Sequence, residues 1–252
     1  MTGSRESILQ QTANLLLDAR RTGNTLAELP AHLVPDGLAE VCFVQDLVAA
    51  AFRPVGGYKI GAPSLEATPT FAPMPAAWIA PSGSKLATAR YRGVEAEIAF
   101  LVGEDLPPRA TPYSRDEVLA AMASCHPAIE VLESAFTDPV LSTPGAQSDL
   151  QTHGGFLYGP PFAGWRSADF SAEHVVLSID GVVRVERTGS NTSGDLLRLL
   201  PYLANEGAAR TGGLRAGQWI TTGSWTGNTL ASAGSTVEAC FSTAGLVQMF
   251  FA

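Results

Sequence analysis

Two apolar runs in this chain, Val94-Glu95-Ala96-Glu97-Ile98-Ala99-Phe100 and Pro127-Ala128-Ile129-Glu130-Val131-Leu132, carry glutamates among residues that belong in a core. Taken as a strand, the first run puts Val94, Ala96 and Ile98 on one face. Glu95 and Glu97 then share the other, about 6.5 Å apart at roughly 3.3 Å per residue. An isolated Glu-x-Glu of this kind is more often a solvated strand edge than a site. The second run argues against that, because its neighbours are so uniformly apolar that Glu130 is costly to bury unless paired or metal-bound. Three carboxylates on adjacent strands repel one another, and a hard dication resolves the repulsion. Mg²⁺ takes oxygen ligands at roughly 2.0–2.1 Å and keeps positions open for water or a substrate oxygen. With no His or Cys at ligand spacing, Zn²⁺ is disfavoured.

Around these runs the chain reads as a helical N-terminal unit, residues 1–55, and a mostly β body, residues 56–252. Ile8, Leu15, Leu16 and Leu17 recur near helical spacing, and a second helix from about Leu38 to Phe52 carries Val41, Val44, Leu47 and Val48. A proline-rich stretch from Pro63 to Pro81 breaks any helix there. Residues 93–102 form a strand closed by Gly103, and Ser114-Arg115-Asp116-Glu117 is a capping box that opens a helix to about Ser124. A strand follows over 128–132, with Cys125-His126 read as the end of the preceding helix. Residues 174–186 form a hairpin about Asp180-Gly181. Residues 195–210 read as helical, with Pro201 near the start or at a kink, and short glycine-punctuated strands complete the chain from Gln218. The fold class expected is α+β.

Composition narrows the function. At 46% hydrophobic and 16% charged residues the chain can bury a sizeable core. Its formal net charge is −8, without a Lys/Arg block, which disfavours nucleic acid and anionic membranes as partners. No apolar run approaches the ~18–20 residues that span a bilayer, and the amphipathic start does not read as a signal peptide. Three scattered cysteines, Cys42, Cys125 and Cys240, fit a reducing compartment, so a cytoplasmic location is expected and the sequon at Asn191 is expected to be idle. Only two of the 16 basic residues are lysines, Lys59 and Lys85. Codon bias accounts for the scarcity. Phosphate-loop, dinucleotide, zinc-protease and nucleophile-elbow motifs are absent, and Ser82-Gly83-Ser84-Lys85 lacks the companion motifs of a serine acyl-enzyme.

Gly57-Tyr58-Lys59-Ile60-Gly61, the two glutamate runs, and Leu214-Arg215-Ala216-Gly217 followed by Thr222-Gly223-Ser224 stand in the order and spacing of the fumarylacetoacetate hydrolase superfamily. More narrowly, the chain resembles the 2-keto-4-pentenoate hydratase/4-oxalocrotonate decarboxylase branch, and Val44-Gln45-Asp46 looks like that branch's N-terminal helix. The resemblance implies a mixed β-roll body with a small helical N-terminal domain. It implies Mg²⁺ or Mn²⁺ held by Glu95, Glu97 and Glu130, and a 2-oxo acid or its dienol as substrate. Lys59, desolvated beside the dication, is expected to have a lowered pKa and to move a proton to or from the dienol. A homo-oligomer is implied as well. The activity expected is a hydratase- or decarboxylase-type lyase. An acylpyruvate-type C–C hydrolase and a non-catalytic partner subunit remain as alternatives.

The chain departs from that pattern at the distal end of the site. Thr70 stands where hydratases of the branch carry an acidic residue, Leu150 replaces an asparagine, and Glu133-Ser134-Ala135 replaces Asp-Ser-Arg. His153 is new relative to the pattern. It is either a replacement acid/base or a loop histidine with a satisfied ring. Asp149 is expected to orient a neighbouring group, and Thr222 and Ser224, in a glycine-rich turn, to bind the substrate carboxylate. Metal and enolate chemistry are thus expected to be retained, and the groups that orient water or a distal carboxylate altered.

Overall fold

The computed structural model describes residues 3–87 and 90–252. Two helices open the chain, α1 (Gly3–Thr22) and α2 (Gly37–Ala50). Four short ones follow: α3 (Arg115–Ala120), α4 (Pro144–Ser148), α5 (Leu199–Asn205) and α6 (Ala208–Thr211). The main sheet holds β1 (Val55–Gly61), β2 (Thr70–Pro75), β3 (Ile79–Pro81), β5 (Gly93–Val102), β6 (Met122–Leu132), β7 (His153–Tyr158), β10 (Trp219–Thr221) and β11 (Thr229–Leu230). Its order is β2-β1-β10-β5-β6-β7-β3, with β11 paired to the start of β5. The second sheet, ordered β4-β13-β12-β8-β9, is built from β4 (Lys85–Leu86), β8 (His174–Ile179), β9 (Val182–Thr188), β12 (Thr236–Phe241) and β13 (Gly245–Phe251). Parallel pairs (β1 with β10, β3 with β7, β4 with β13) sit among antiparallel ones, giving mixed sheets with helices, an α+β fold. Among the described residues no helix is long and apolar enough to cross a membrane.

The alternation read from the sequence sorts the main sheet into two faces. Val94, Ala96, Ile98 and Phe100 of β5 and Ile129 and Val131 of β6 pack against Val175, Leu177, Val237 and Val247 of the second sheet. The opposite face carries the glutamates and a small apolar cluster of Met74, Ala99, Ala128, Phe156 and Trp219. A third cluster joins Leu9, Ala13 and Leu16 of α1 and Val44 and Val48 of α2 to Ala135, Phe136 and Leu150. The two N-terminal helices therefore pack on the segment that leaves β6 and returns at β7, alongside the glutamate-bearing face.

Several sequence expectations change in detail. The Ser114 capping box forms, but its helix stops at Ala120, and β6 begins at Met122 and runs for 11 residues. Cys125 and His126 consequently lie in a strand, opposite Phe100 and Ala99, and not at a helix end. Cross-strand pairing with the long β5 overrides the local helical signal. Residues 195–210 are a 3₁₀ turn followed by α5 and α6, with Pro201 in the first turn of α5, where a missing N–H is tolerated. Within the proline-rich stretch, Pro73 and Pro75 lie in β2, which is an edge strand and so forgives an absent donor. The Asp180-Gly181 hairpin joins β8 and β9 as expected, both residues having positive φ.

One buried ion pair ties α1 to the segment beside the site. Arg20 Nε donates to Asp149 Oδ1 at 2.5 Å, and the same guanidinium donates to the carbonyls of Glu133, Asp149 and His153. Asp149 Oδ2 accepts from Ala135 N at 2.7 Å and from the Ser134 hydroxyl. Both charged side chains are nearly or fully buried. Removing one partner strands the other, so Asp149→Ala is expected to lower stability by about 3–5 kcal/mol in chemical denaturation. A loss below about 1 kcal/mol would show that the pair does not anchor α1.

Candidate active site and metal centre

The register of β5 on β6 sets Glu95 directly opposite Glu130 and Glu97 opposite Ala128. Lys59 enters the same face from β1, paired through Thr221 of β10 to Ala99 of β5. β1 can approach β10 this closely because residue 57 is glycine: a Cβ there would lie 2.1 Å from the Trp219 carbonyl oxygen. One carboxylate oxygen from each of Glu95, Glu97 and Glu130 lies within 4.8 Å of the others. Glu97 and Glu130 are buried and Glu95 is half-buried.

Each carboxylate has different partners. Glu130 Oε1 accepts from Lys59 Nζ at 2.6 Å and from His153 Nδ1 at 2.9 Å, whereas its Oε2 is buried without a hydrogen-bond partner. Glu97 Oε2 accepts from the Thr221 hydroxyl and from Gly223 N at 3.1 Å. Gly223 has φ +85°, the left-handed conformation that glycine adopts without strain. The Ser224 side chain lies close enough to Glu95 to favour its ionised form. Lys59 Nζ also donates to the Gln151 carbonyl at 3.1 Å. That carbonyl comes from three consecutive non-glycine residues with positive φ, Leu150, Gln151 and Thr152, a conformation costing of order 1–3 kcal/mol per residue. The replacement of asparagine by Leu150 falls within this left-handed run.

The electrostatics follow from burial and crowding. Burial, then Glu130, lifts the Glu95 carboxyl to about 7. Burial, then Glu130 and Glu95, pushes Glu97 well above the ordinary range. Burial also opposes ionisation of Glu130, but Lys59 and His153 together outweigh it and hold its carboxyl below the ordinary range. For Lys59, burial favours the neutral amine, yet Glu130, Glu95 and Glu97 prevail and its pKa is raised. In the metal-free site the three carboxylates beside Lys59 therefore set the direction, whereas the lowered pKa expected from sequence refers to the site with a dication bound. Burial keeps His153 below its ordinary pKa and therefore neutral near pH 7, with Nδ1 donating to Glu130 and a bare Nε2 that has no partner.

The residues fit a hard dication. The cluster offers oxygen donors alone, one lysine cannot balance three carboxylates, and Glu130 Oε2 is buried with nothing to accept from. A cavity of about 190 Å³ opens onto it, lined by Lys59, Thr70, Glu95, Leu132, Leu141, Gln147, Gln151 and Thr152. A larger cleft of about 1090 Å³ lies between α1, Phe52 and Trp78 and includes none of the three glutamates, so chemistry, not size, marks the site.

Of the residues singled out from sequence, Lys59, Glu95, Glu97 and Glu130 converge, Thr70 lines the cavity and Ser224 touches Glu95. His153 is not a loop histidine with a satisfied ring: it opens β7, is fully buried, bonds Glu130 through Nδ1 and has no hydrogen-bond partner at Nε2. Asp149 is spent on Arg20, which in turn holds the His153 carbonyl. Thr222 donates its hydroxyl to the Ile98 carbonyl at 2.6 Å, and it is Thr221 that contacts Glu97. Which of two adjacent threonines faces the carboxylates is a question of register, for which the Thr-Thr dipeptide holds no signal.

The mixed two-sheet α+β fold is shared with solved proteins of the fumarylacetoacetate hydrolase type. A fumarylacetoacetate hydrolase from Exiguobacterium antarcticum superposes with a TM-score of 0.59 at 13% identity, over 79% of this chain and 76% of that one. More particularly, 4-oxalocrotonate decarboxylase from Pseudomonas putida G7, complexed with magnesium and adipate, superposes with a TM-score of 0.84 at 22% identity over 100% of both chains. In sequence the chain is 32% identical over 135 residues to a 4-oxalocrotonate decarboxylase of Pseudomonas sp, covering 53% of this chain and 50% of that protein. It is 27% identical over 157 residues to 2-hydroxyhexa-2,4-dienoate hydratase of Comamonas testosteroni, covering 62% of this chain and 59% of that protein. The chain thus spans about half the length of the curated relatives it matches. No family model matches it. The resemblance to the hydratase/decarboxylase branch, carried first by the motif residues, holds in both comparisons.

Two outcomes test the metal centre. Glu97→Ala is expected to abolish the rise in melting temperature that Mg²⁺ produces, and an unchanged rise would remove Glu97 from the ligand set. The folded, metal-free protein binds protons on Glu95 and Glu97 that the unfolded chain releases near pH 4.5. Its stability therefore falls as pH rises from about 4.5 to 7 and stays lower above that range. Mg²⁺ reverses the loss, with an affinity that increases through pH 7 because binding displaces those protons. Calorimetric melting from pH 5 to 8 with and without Mg²⁺ checks both signs.

Proposed function

We propose that the protein is a divalent-metal-dependent enzyme acting on a 2-oxo acid or its dienol by enolate chemistry, a lyase of the hydratase or decarboxylase kind. The observation that carries this reading is the convergence of Lys59 with Glu95, Glu97 and Glu130, two of which border one small cavity. Glu95, Glu97 and Glu130 would hold Mg²⁺ or Mn²⁺, and the magnesium-bound decarboxylase that shares this fold supports the choice. When bound, the dication supplies Lewis-acid stabilisation of negative charge at the C1 carboxylate and C2 oxygen of the substrate.

Lys59 is the proton-transfer group. Its ammonium is held by Glu130 and the Gln151 carbonyl and borders the cavity. As a dienol becomes its 2-oxo form, the Lys59 ammonium would deliver a proton to carbon and its amine would take up the proton released from the enol oxygen. The step is thus balanced in protons and the lysine is regenerated; the reverse follows the same route. His153 is a positioning residue. Its Nδ1–H fixes Glu130 Oε1, and Arg20 with Asp149 fixes His153 in turn. Thr221 and Gly223 N orient Glu97 in the same way. The helical segment 1–55 serves in this reading as a unit that braces the 133–152 excursion above the site, and the working form is a homo-oligomer, testable by light scattering.

The acylpyruvate-hydrolase alternative calls for a His–Glu pair that activates water. The pair present here, His153 with Glu130, has its histidine outside the cavity lining, which disfavours that alternative. Retention of all three carboxylates with the lysine disfavours a non-catalytic subunit.

Turnover is measured as loss of dienol absorbance with Mg²⁺, with products identified by mass. EDTA is expected to abolish it. Lys59→Met should keep the Mg²⁺-linked rise in melting temperature and lose about 10²–10⁴-fold in kcat. An active Lys59→Met protein would make the lysine structural and sink the mechanism.

A further inference from the structure

Resting on that functional reading, we infer that the substrate is a monocarboxylic 2-oxo acid or 2-hydroxydienoate whose far end is uncharged, and that the reaction is therefore not loss of carbon dioxide from that end. The walls beyond the metal cluster carry the argument. Leu132 follows Glu130 on the same face of β6, while Leu141, Gln147 and Gln151 come from the 133–152 excursion and Thr70 from the edge strand β2. These side chains are apolar or neutral. Among the described residues the one basic side chain on the cavity wall is Lys59, and it is committed to Glu130 at 2.6 Å.

The nearby guanidinium groups are engaged elsewhere. Arg20 is bound to Asp149 and three backbone carbonyls. Arg90 donates to the Ala19 and Arg20 carbonyls and lines the separate, larger cleft.

Charge counting gives the same answer. Three glutamates and Lys59 contribute −3 and +1, and a dication brings the sum to zero. The C1 carboxylate of a substrate then makes the filled site −1, and a second carboxylate would make it −2 with no cation to meet it. Such a group would lie against leucine and amide side chains with no cation to pair it, in a site already carrying the C1 carboxylate. The volume of about 190 Å³ also falls below the roughly 300–1,000 Å³ of sites for drug-sized ligands, which suits a short chain. A substrate with no distal carboxylate has no carbon dioxide to release there. What remains is addition of water across the distal double bond, hydroxyl to one carbon and hydrogen to its neighbour, or a proton shift between dienol and 2-oxo forms.

The experiment compares 2-hydroxypenta-2,4-dienoate and 2-hydroxyhexa-2,4-dienoate with 2-hydroxyhexa-2,4-dienedioate as substrates of the Mg²⁺-loaded protein. In parallel, calorimetry compares binding of the unreactive pair 2-oxopentanoate and 2-oxohexanedioate. The monoacids are expected to lead by about 100-fold in kcat/KM, of the order by which a pocket without a polar partner rejects an added polar group, and 2-oxopentanoate to bind at least about tenfold tighter. Equal or better use of the diacids, in turnover or in binding, overturns the inference. If no dienol is turned over while 2-oxopentanoate still binds preferentially, the lyase reading fails and the inference about the tail stands. Failure of both 2-oxo acids to bind removes both. Leu141→Arg, at an exposed position on the cavity wall, should shift the diacid-to-monoacid binding ratio at least about tenfold toward the diacid. An unchanged ratio would mean that the tail does not reach this wall, and the inference would fall.

Discussion

Three carboxylates buried within 4.8 Å of one another, with a single ammonium to answer them, make the interaction on which the rest of this structure depends. Left alone the arrangement is unfavourable, and the protein handles it in two ways. It keeps Glu95 and Glu97 prone to protonation, and it surrounds Glu130 with Lys59 and His153. A bound dication would ionise Glu95 and Glu97 and add to the compensation that Lys59 and His153 already give Glu130, so the metal-free site is a compromise whose relief is metal binding. The unpartnered Glu130 Oε2 marks the place where that compromise is incomplete.

The surrounding architecture supports the same centre. The second sheet fills the far face of β5 and β6 with branched aliphatic side chains, which leaves the near face free to carry charge. Among the described residues no hydrogen bond or ion pair joins the N-terminal helices to the three glutamates. The helices act through the 133–152 excursion, where Arg20 gathers Asp149 and the carbonyls of Glu133 and His153. The left-handed run at Leu150–Thr152 lies within that braced excursion and presents the Gln151 carbonyl to Lys59. Strain at those residues is offset by the buried network on either side of them.

Much of this was legible in the amino-acid order, and the rest fails to be legible for identifiable reasons. The alternation of Val94, Ala96 and Ile98 with Glu95 and Glu97 predicts both the strand and the polar face, because a strand has a strict period of two. The Ser114 capping box and the Asp180-Gly181 turn are local motifs and form as read. Cys125-His126 is misread as a helix end because a strand partner 25 residues away in sequence, Phe100 to Cys125, outweighs local propensity. That Thr221 contacts Glu97 and that Asp149 pairs with Arg20 follow likewise from register and from contacts over long chain separations.

The amino-acid sequence by itself determined the chemical inventory: two glutamate-bearing apolar strands, a rare lysine in Gly-Tyr-Lys-Ile-Gly, and an oxygen-only donor set that calls for a hard dication. Those are properties of residue type and of period along one strand. Only the tertiary structure decided that Glu95 faces Glu130, that Lys59 is held by one carboxylate and one strained backbone carbonyl, and that the cavity beyond them is neutral. The physical reason is that these are cross-strand and backbone relationships. A carbonyl has no side-chain signature, a register shift of one residue reverses every face, and the polarity of a cavity belongs to segments that meet only after the chain has folded.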